Sequence, residues 1–244
     1  MDFIDKVVLI TGGAGGIGSV LCKRFSERGA CVVCADIDEL KLQKISDEAS
    51  ANNLNIVCRK IDLGDASETE CFMKELLEKY GESFSVIINN VASGGFGDFL
   101  NSRTEDFDKA INVGLRSAYI TSREFAKYRK KNDIKSFGRI INISSTRHIM
   151  SEPNGEINAC VKGGLYSLTH ATAQGLNGLN ITVNSISPGR IVTDNSAFAN
   201  KESQNKGKFG TPEDVANACF FLCDEANNFI NGQDFVIDGG MIKK

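Results

Sequence analysis

The chain predicts a single doubly wound α/β domain, a parallel sheet with helices on both faces. Three observations carry that expectation. Short apolar runs alternate with longer amphipathic stretches along the 244 residues. Within each run the apolar residues occupy successive positions, as strands covered on both faces require. A glycine-rich turn, TGGAGGIG at 11 to 18, stands where the first run meets the first amphipathic stretch.

KVVLIT reads as the first strand, followed by a helix from about Gly16. CVVCAD is the second strand, with a helix from about Asp38; NIVCRKID is the third, with a helix from about Ala66. SVIINN, RIINIS, ITVNSIS and FVID continue the series. No internal repeat, low-complexity tract or linker divides it, so residues 1–244 are expected to form one Rossmann-type domain. The basic run AKYRKKND at 126 to 133 reads as a solvated helix end and loop.

Composition narrows the function classes. At 41% hydrophobic, 24% charged and net charge −3, the chain has ordinary globular composition and no basic footprint for nucleic acid. The N-terminal MDFIDKVVLITGG fits neither a signal peptide nor a membrane span of ~20 apolar residues, so a soluble, cytoplasmic protein is expected. The eight cysteines are then expected to be reduced. Cys31 and Cys34 lie three apart on a strand and face opposite ways, while Cys219 and Cys223 read as helix packing; no metal site is expected.

Glycines at Gly12, Gly16 and Gly18 would permit a tight turn and close approach of backbone to a pyrophosphate. The helix that follows would supply free N–H groups and a partial positive charge. Asp36 ends the second strand 18 residues beyond Gly18, near the spacing expected of a carboxylate that accepts from ribose hydroxyls. That carboxylate repels a 2′-phosphate, and neighbouring Ile37 and Asp38 supply no arginine, so NAD is favoured over NADP. A simpler role for Asp36, as a turn or helix-start residue, is also open.

Over essentially its whole length the chain resembles the short-chain dehydrogenase/reductase family. TGGAGGIG matches the family's TGxxxGxG, which adds Ile17; Asp62 of KIDLGD, with Leu63, matches the adenine-contacting segment. INNVASGG resembles the NNAG turn and offers Asn90, with Val91 and Ala92 adding methyl groups where family members have Ala and Gly. INVG offers Asn112 for the catalytic asparagine, and RIINISS and VKGG offer Ser145 and Lys162. ISPGRIVTD resembles the segment in which Pro188, Gly189, Ile191 and Thr193 would border the nicotinamide. The resemblance implies hydride transfer between NAD(H) and a small alcohol or carbonyl substrate. It also implies a homodimer or homotetramer built on helices near 104 to 131 and 156 to 176.

One position departs from this pattern. The family's catalytic tyrosine stands four residues before the lysine, and here that position is Asn158. An asparagine amide donates a hydrogen bond but does not act as a proton acid or base near pH 7. Losing general acid–base catalysis costs ~10²–10⁴ in rate. His148 is a candidate surrogate acid or substrate contact, and Tyr166 a remoter one; Arg147 either holds an anionic substrate or is solvated. Three readings stay open: an oxidoreductase with an altered proton path, a cofactor-binding protein that has lost catalysis, and an ordinary enzyme carrying a changed residue. Lys162 would also bond the nicotinamide ribose, a role independent of the tyrosine. The segment between Thr193 and Gly210, with Phe198, stands where a substrate lid is expected and is too polar to favour a bulky steroid-like substrate.

Overall fold

The computed structural model describes residues 2–92, 97–193 and 209–242; the lid segment with Phe198 falls outside them. Seven parallel strands form one sheet in the order β3-β2-β1-β4-β5-β6-β7. They are β1 (Val7–Thr11), β2 (Cys31–Asp36), β3 (Ile56–Lys60), β4 (Phe84–Asn89), β5 (Gly138–Ile143), β6 (Ile181–Pro188) and β7 (Asp234–Ile237). Each coincides with a run picked out by its apolar pattern.

The central strands β1, β4 and β5 are buried at every position because both faces are covered. Successive side chains on a strand point to opposite faces, so one strand feeds two cores. Ile10, Cys34, Ile88 and Ile141 join one core, to which α1 (Gly16–Ser26) and α7 (Pro212–Cys223) contribute Leu21, Phe25 and Phe220. Leu9, Val33, Ile87 and Ile140 join the other, with Met73 of α3 (Ala66–Tyr80) and Phe125 of α5 (Ser117–Lys131). Truncating a fully buried residue such as Leu9 to alanine costs about 2–5 kcal/mol at such sites. Cys34 and Cys31 pack into opposite cores, as the strand geometry requires.

Aspartates start two of the crossover helices. The Asp38 side chain accepts from Lys41 N–H at the head of α2 (Glu39–Ala51), and the Asp65 side chain accepts from Glu68 N–H at the head of α3. Such caps satisfy backbone donors that a helix start leaves free.

The basic run departs from expectation at one residue. Arg129 is buried, its guanidinium 5.2 Å from the Phe125 ring centre and donating to the Ser136 carbonyl. Desolvation drives its pKa down to about 10. The long stem and flat cation let the residue lie over the ring while its charge finds a carbonyl. Lys127, Lys130 and Lys131 around it are exposed.

No helix among the described residues is long and apolar enough to cross a membrane. No group of three or more His, Cys, Asp or Glu side chains among them could hold a metal.

Candidate active site

Strand order reverses between β1 and β4, the switch point at which open α/β sheets bind ligands. A cleft of about 1400 Å³ opens there. Gly12, Gly16 and Ile17 of the glycine turn line it, and no side chain caps the first turn of α1. The glycines are sterically required. Gly12 has φ +62°, and a Cβ there would lie 2.7 Å from Val91 Cα; at Gly18 it would lie 2.1 Å from Gly12 O. A Cβ at Gly16 would meet Thr193 at 2.5 Å, so this glycine lets the segment after β6 close over the turn.

Asp36 and Ile37 line the same cleft, as do Asp62 and Leu63. Both open readings of Asp36 meet in one side chain. Oδ2 accepts from Ala14 N–H at 3.0 Å and Oδ1 from Asp38 N–H at 3.1 Å, which ties the end of β2 to the glycine turn. Each carboxylate oxygen retains a further lone pair for a ligand. Asp62 Oδ1 accepts from Gly64 N–H at 2.8 Å and so shapes its own turn. Asn90 borders the cleft, but its amide N–H groups go to the carbonyls of Thr11 and Gly12, each at 3.0 Å. That side chain holds β4 against the glycine turn.

Across the cleft, Asn112 opens a π-helical turn, Asn112–Arg116, between α4 (Thr104–Ile111) and α5. Single π-turns inside helices occur frequently at functional sites. Asn112 and Thr193 line the cleft, as does Ile157 of α6 (Glu156–Gly175). Ser145, Asn158 and Lys162 do not, nor do Pro188, Gly189 and Ile191. Lys162 is buried, its Nζ donating to the Ile143 carbonyl at 2.8 Å, and desolvation lowers its pKa to about 8. Ser145 Oγ accepts from Arg147 N–H at 3.2 Å. Asn158 is half-buried one helical turn before Lys162.

His148 is largely enclosed. Its side chain is only 6% exposed, with Nδ1 2.5 Å from the Ser145 carbonyl oxygen and Nε2 3.4 Å from Asp234 Oδ2. The ring stacks on Tyr166 at 4.8 Å. The imidazole is thus held between the Asp234 carboxylate of β7 and the Tyr166 ring of α6, and Tyr166 is occupied as its stacking partner. Arg147 is not simply solvated either: its side chain is 13% exposed and lies 2.7 Å from Glu152 Oε1. Arg190 Nη2 reaches the same oxygen at 3.0 Å, and the two arginines, Arg147 foremost, hold the Glu152 carboxyl below its ordinary pKa.

Two features escaped the sequence reading. Asn89 and Asn142 form a buried network in which Asn89 donates to Asn142 at 2.9 Å, Asn142 donates to Thr169 at 2.9 Å, and Thr121 donates to Asn89 at 2.7 Å. It locks α5 and α6 to the strands beneath the site. Its signal was an asparagine at or next to the end of each of two mainly apolar runs, Asn89 of β4 and Asn142 of β5. The cleft also has an acidic rim of Asp98, Glu105, Asp106 and Asp108, which in sequence is indistinguishable from a solvated helix start.

A seven-stranded parallel sheet with a glycine turn at its switch point defines a Rossmann-type domain with a dinucleotide-sized cleft. A family model described as enoyl-(acyl carrier protein) reductase matches residues 12–242. The chain belongs to the short-chain dehydrogenase/reductase family. It is 36% identical to an uncharacterized oxidoreductase of Thermotoga maritima, over 98% of this chain and 96% of that protein. It is 30% identical to the 3-oxoacyl-[acyl-carrier-protein] reductase FabG of Rickettsia bellii, over 99% of each. Among solved structures, a 7α-hydroxysteroid dehydrogenase complexed with NADH and 7-oxo glycochenodeoxycholic acid superposes with a TM-score of 0.87 at 27% identity, covering 100% of this chain and 96% of that one.

Proposed function

We propose that the protein is an NAD-dependent oxidoreductase acting between a small alcohol and its carbonyl, with a proton path altered at Asn158. The observation that carries the reading is the cleft: the glycine turn, the uncapped α1 N-terminus and Asp36 converge on one dinucleotide-sized space. When bound, the nicotinamide supplies or takes the hydride. Asp36 accepts from the adenosine ribose and disfavours a 2′-phosphate. Ser145 orients the substrate oxygen and the Asn158 amide polarises it without relaying a proton. Asn112 and Lys162 keep their family roles, Lys162 at the nicotinamide ribose. In this reading the protein is cytoplasmic and forms a homodimer or homotetramer through α4 to α6.

A second reading, a cofactor-binding protein without turnover, draws on Asn158 and on the commitment of the Lys162 ammonium to a backbone carbonyl. The two separate in one experiment. Deuteride transfer from C4-deuterated NADH to small ketones and aldehydes is followed by mass, for the native chain beside Asn158→Tyr. Transfer by both is expected, the native chain being the slower. Transfer by Asn158→Tyr alone would leave a binding protein.

A further inference from the structure

We propose that Asp234 and His148 act together as positioning residues: the β7 carboxylate, through the imidazole, fixes the backbone of Ser145 and with it the hydroxyl that orients the reacting oxygen. Asp234 opens β7, and His148 ends the 3₁₀ turn Thr146–His148 that follows β5. Both side chains are enclosed, at 9% and 6% exposure, with Nε2 3.4 Å from Oδ2. The role given to Ser145 rests on the oxidoreductase reading; the tether to its turn does not.

The carboxylate end is a built anchor. Asp234 pairs with Ser185 in the β6–β7 ladder, so its place is set by backbone. Ser185 and Ser187, two apart on β6 and so on one face of it, both donate to Asp234 Oδ1 at 2.6 Å, while Oδ2 faces the imidazole. Both serines are fully buried. An enclosed carboxylate is costly unless its lone pairs are met, and here three donors converge on it. Neighbouring rings hold the imidazole on that anchor. Tyr166 stacks on it at 4.8 Å and 15°, and His170 packs edge-on against Tyr166, ring centres 5.7 Å apart.

The other end of the ring reaches Ser145 itself. The turn supplies only a 3.3 Å bond from His148 N–H to the Ser145 carbonyl, whereas Nδ1 of the same residue lies 2.5 Å from that oxygen. The side chain, more than the backbone, therefore sets where this peptide points. On the preceding side, Ser144 N–H donates to the Ile186 carbonyl at 2.8 Å and the Ser144 hydroxyl to the Lys162 carbonyl at 3.1 Å. Ser145 thus stands between a residue tied to β6 and α6 and a residue tied to β7. Its Oγ accepts from Arg147 N–H at 3.2 Å, so a shift of the turn carries the hydroxyl with it. A misplacement of about 1 Å at a reacting site costs up to ~10² in rate.

The test compares the full native chain with Asp234→Asn, His148→Asn and the double variant, using C4-deuterated NADH and small ketones. Asparagine at 234 keeps the shape of the carboxylate without its charge, and asparagine at 148 keeps a donor near the Ser145 carbonyl but is too short to span to Asp234. Each single change should lower the kcat of deuteride transfer about tenfold or more, with the KM for NADH within about twofold. The double variant should lose no more than either single one, as for two groups acting through one path. Hydrogen exchange gives a readout that needs no turnover. The Arg147 amide should exchange about tenfold faster in each variant, the worth of one hydrogen bond to a charged group, while amides of β1 and β5 keep their protection. A general loosening of the fold would speed all of these together and overturn the proposal, as would additive losses of kcat or an unmoved Arg147 amide. Full-rate transfer by every variant would overturn the positioning role and leave the oxidoreductase reading. No transfer by any chain, with only the Arg147 amide accelerated, would leave the tether standing and remove that reading.

Discussion

The glycine turn and the segment from β5 to α6 flank one site but are built on different principles. In the turn the work is done by backbone: Gly12, Gly16 and Gly18 are demanded by atoms 2.1 to 2.7 Å from an added Cβ, and the helix start presents bare N–H groups. In the β5–α6 segment the work belongs to side chains held by local and long-range contacts. Lys162 is tied to the Ile143 carbonyl, Ser145 to its own turn, and His148 to Asp234 of a distant strand. A site made of backbone tolerates little substitution before it fails. One made of side-chain chemistry keeps its shape when a single group is exchanged.

That contrast is sharpened most by changing Asn158. Asn158→Tyr should raise deuteride transfer by ~10²–10⁴, the usual worth of general acid–base catalysis, with NADH affinity little changed. An unchanged rate would mean that the segment has lost more than one side chain.

Lys162 provides the next largest effect. Its folded pKa near 8 lies below the ordinary 10.5, so the charged ammonium destabilises the fold at neutral pH and the deficit is relieved as pH rises from about 8 to 10.5. The shift corresponds to roughly 3 kcal/mol. Denaturant unfolding of native and Lys162→Met chains should show the native protein gaining about that much relative to the variant across this window. Parallel curves would show that Lys162 is far better solvated than its burial implies.

Gly18→Ala probes the backbone side. Its methyl would overlap the Gly12 carbonyl, so a loss of about 1–3 kcal/mol is expected. Part of it should appear as weaker NADH binding in a fluorescence titration. The smallest effect concerns selectivity: Asp36→Ala should shift the NADPH-to-NADH affinity ratio about tenfold toward NADPH, the scale of one charge-assisted contact. No shift would leave Asp36 a turn residue alone.

The two regions also differed in how far they could be read. The strands, the crossover helices and the glycine turn announce themselves through local rules: burial on both faces, caps at Asp38 and Asp65, and glycines where chain must meet chain. His148, Arg147 and Arg129 did not. The sequence neighbourhood of His148 suggests a pocket lining, yet its contacts are to Asp234 and Tyr166, far along the chain. Arg129 sits in a basic run that reads as solvent-facing, and only the approach of Phe125 and the Ser136 carbonyl explains its burial.

The sequence by itself determined the doubly wound sheet, the glycine turn at its switch point and the asparagine four residues before Lys162. Each follows from residue type at a known spacing along a strand or helix. Tertiary structure alone decided which polar side chains meet: the Asn89–Asn142 network, the inward turn of His148, and the convergence of Arg147 and Arg190 on Glu152. Long side chains choose partners by distance and desolvation in three dimensions, and neither quantity is encoded in the local pattern.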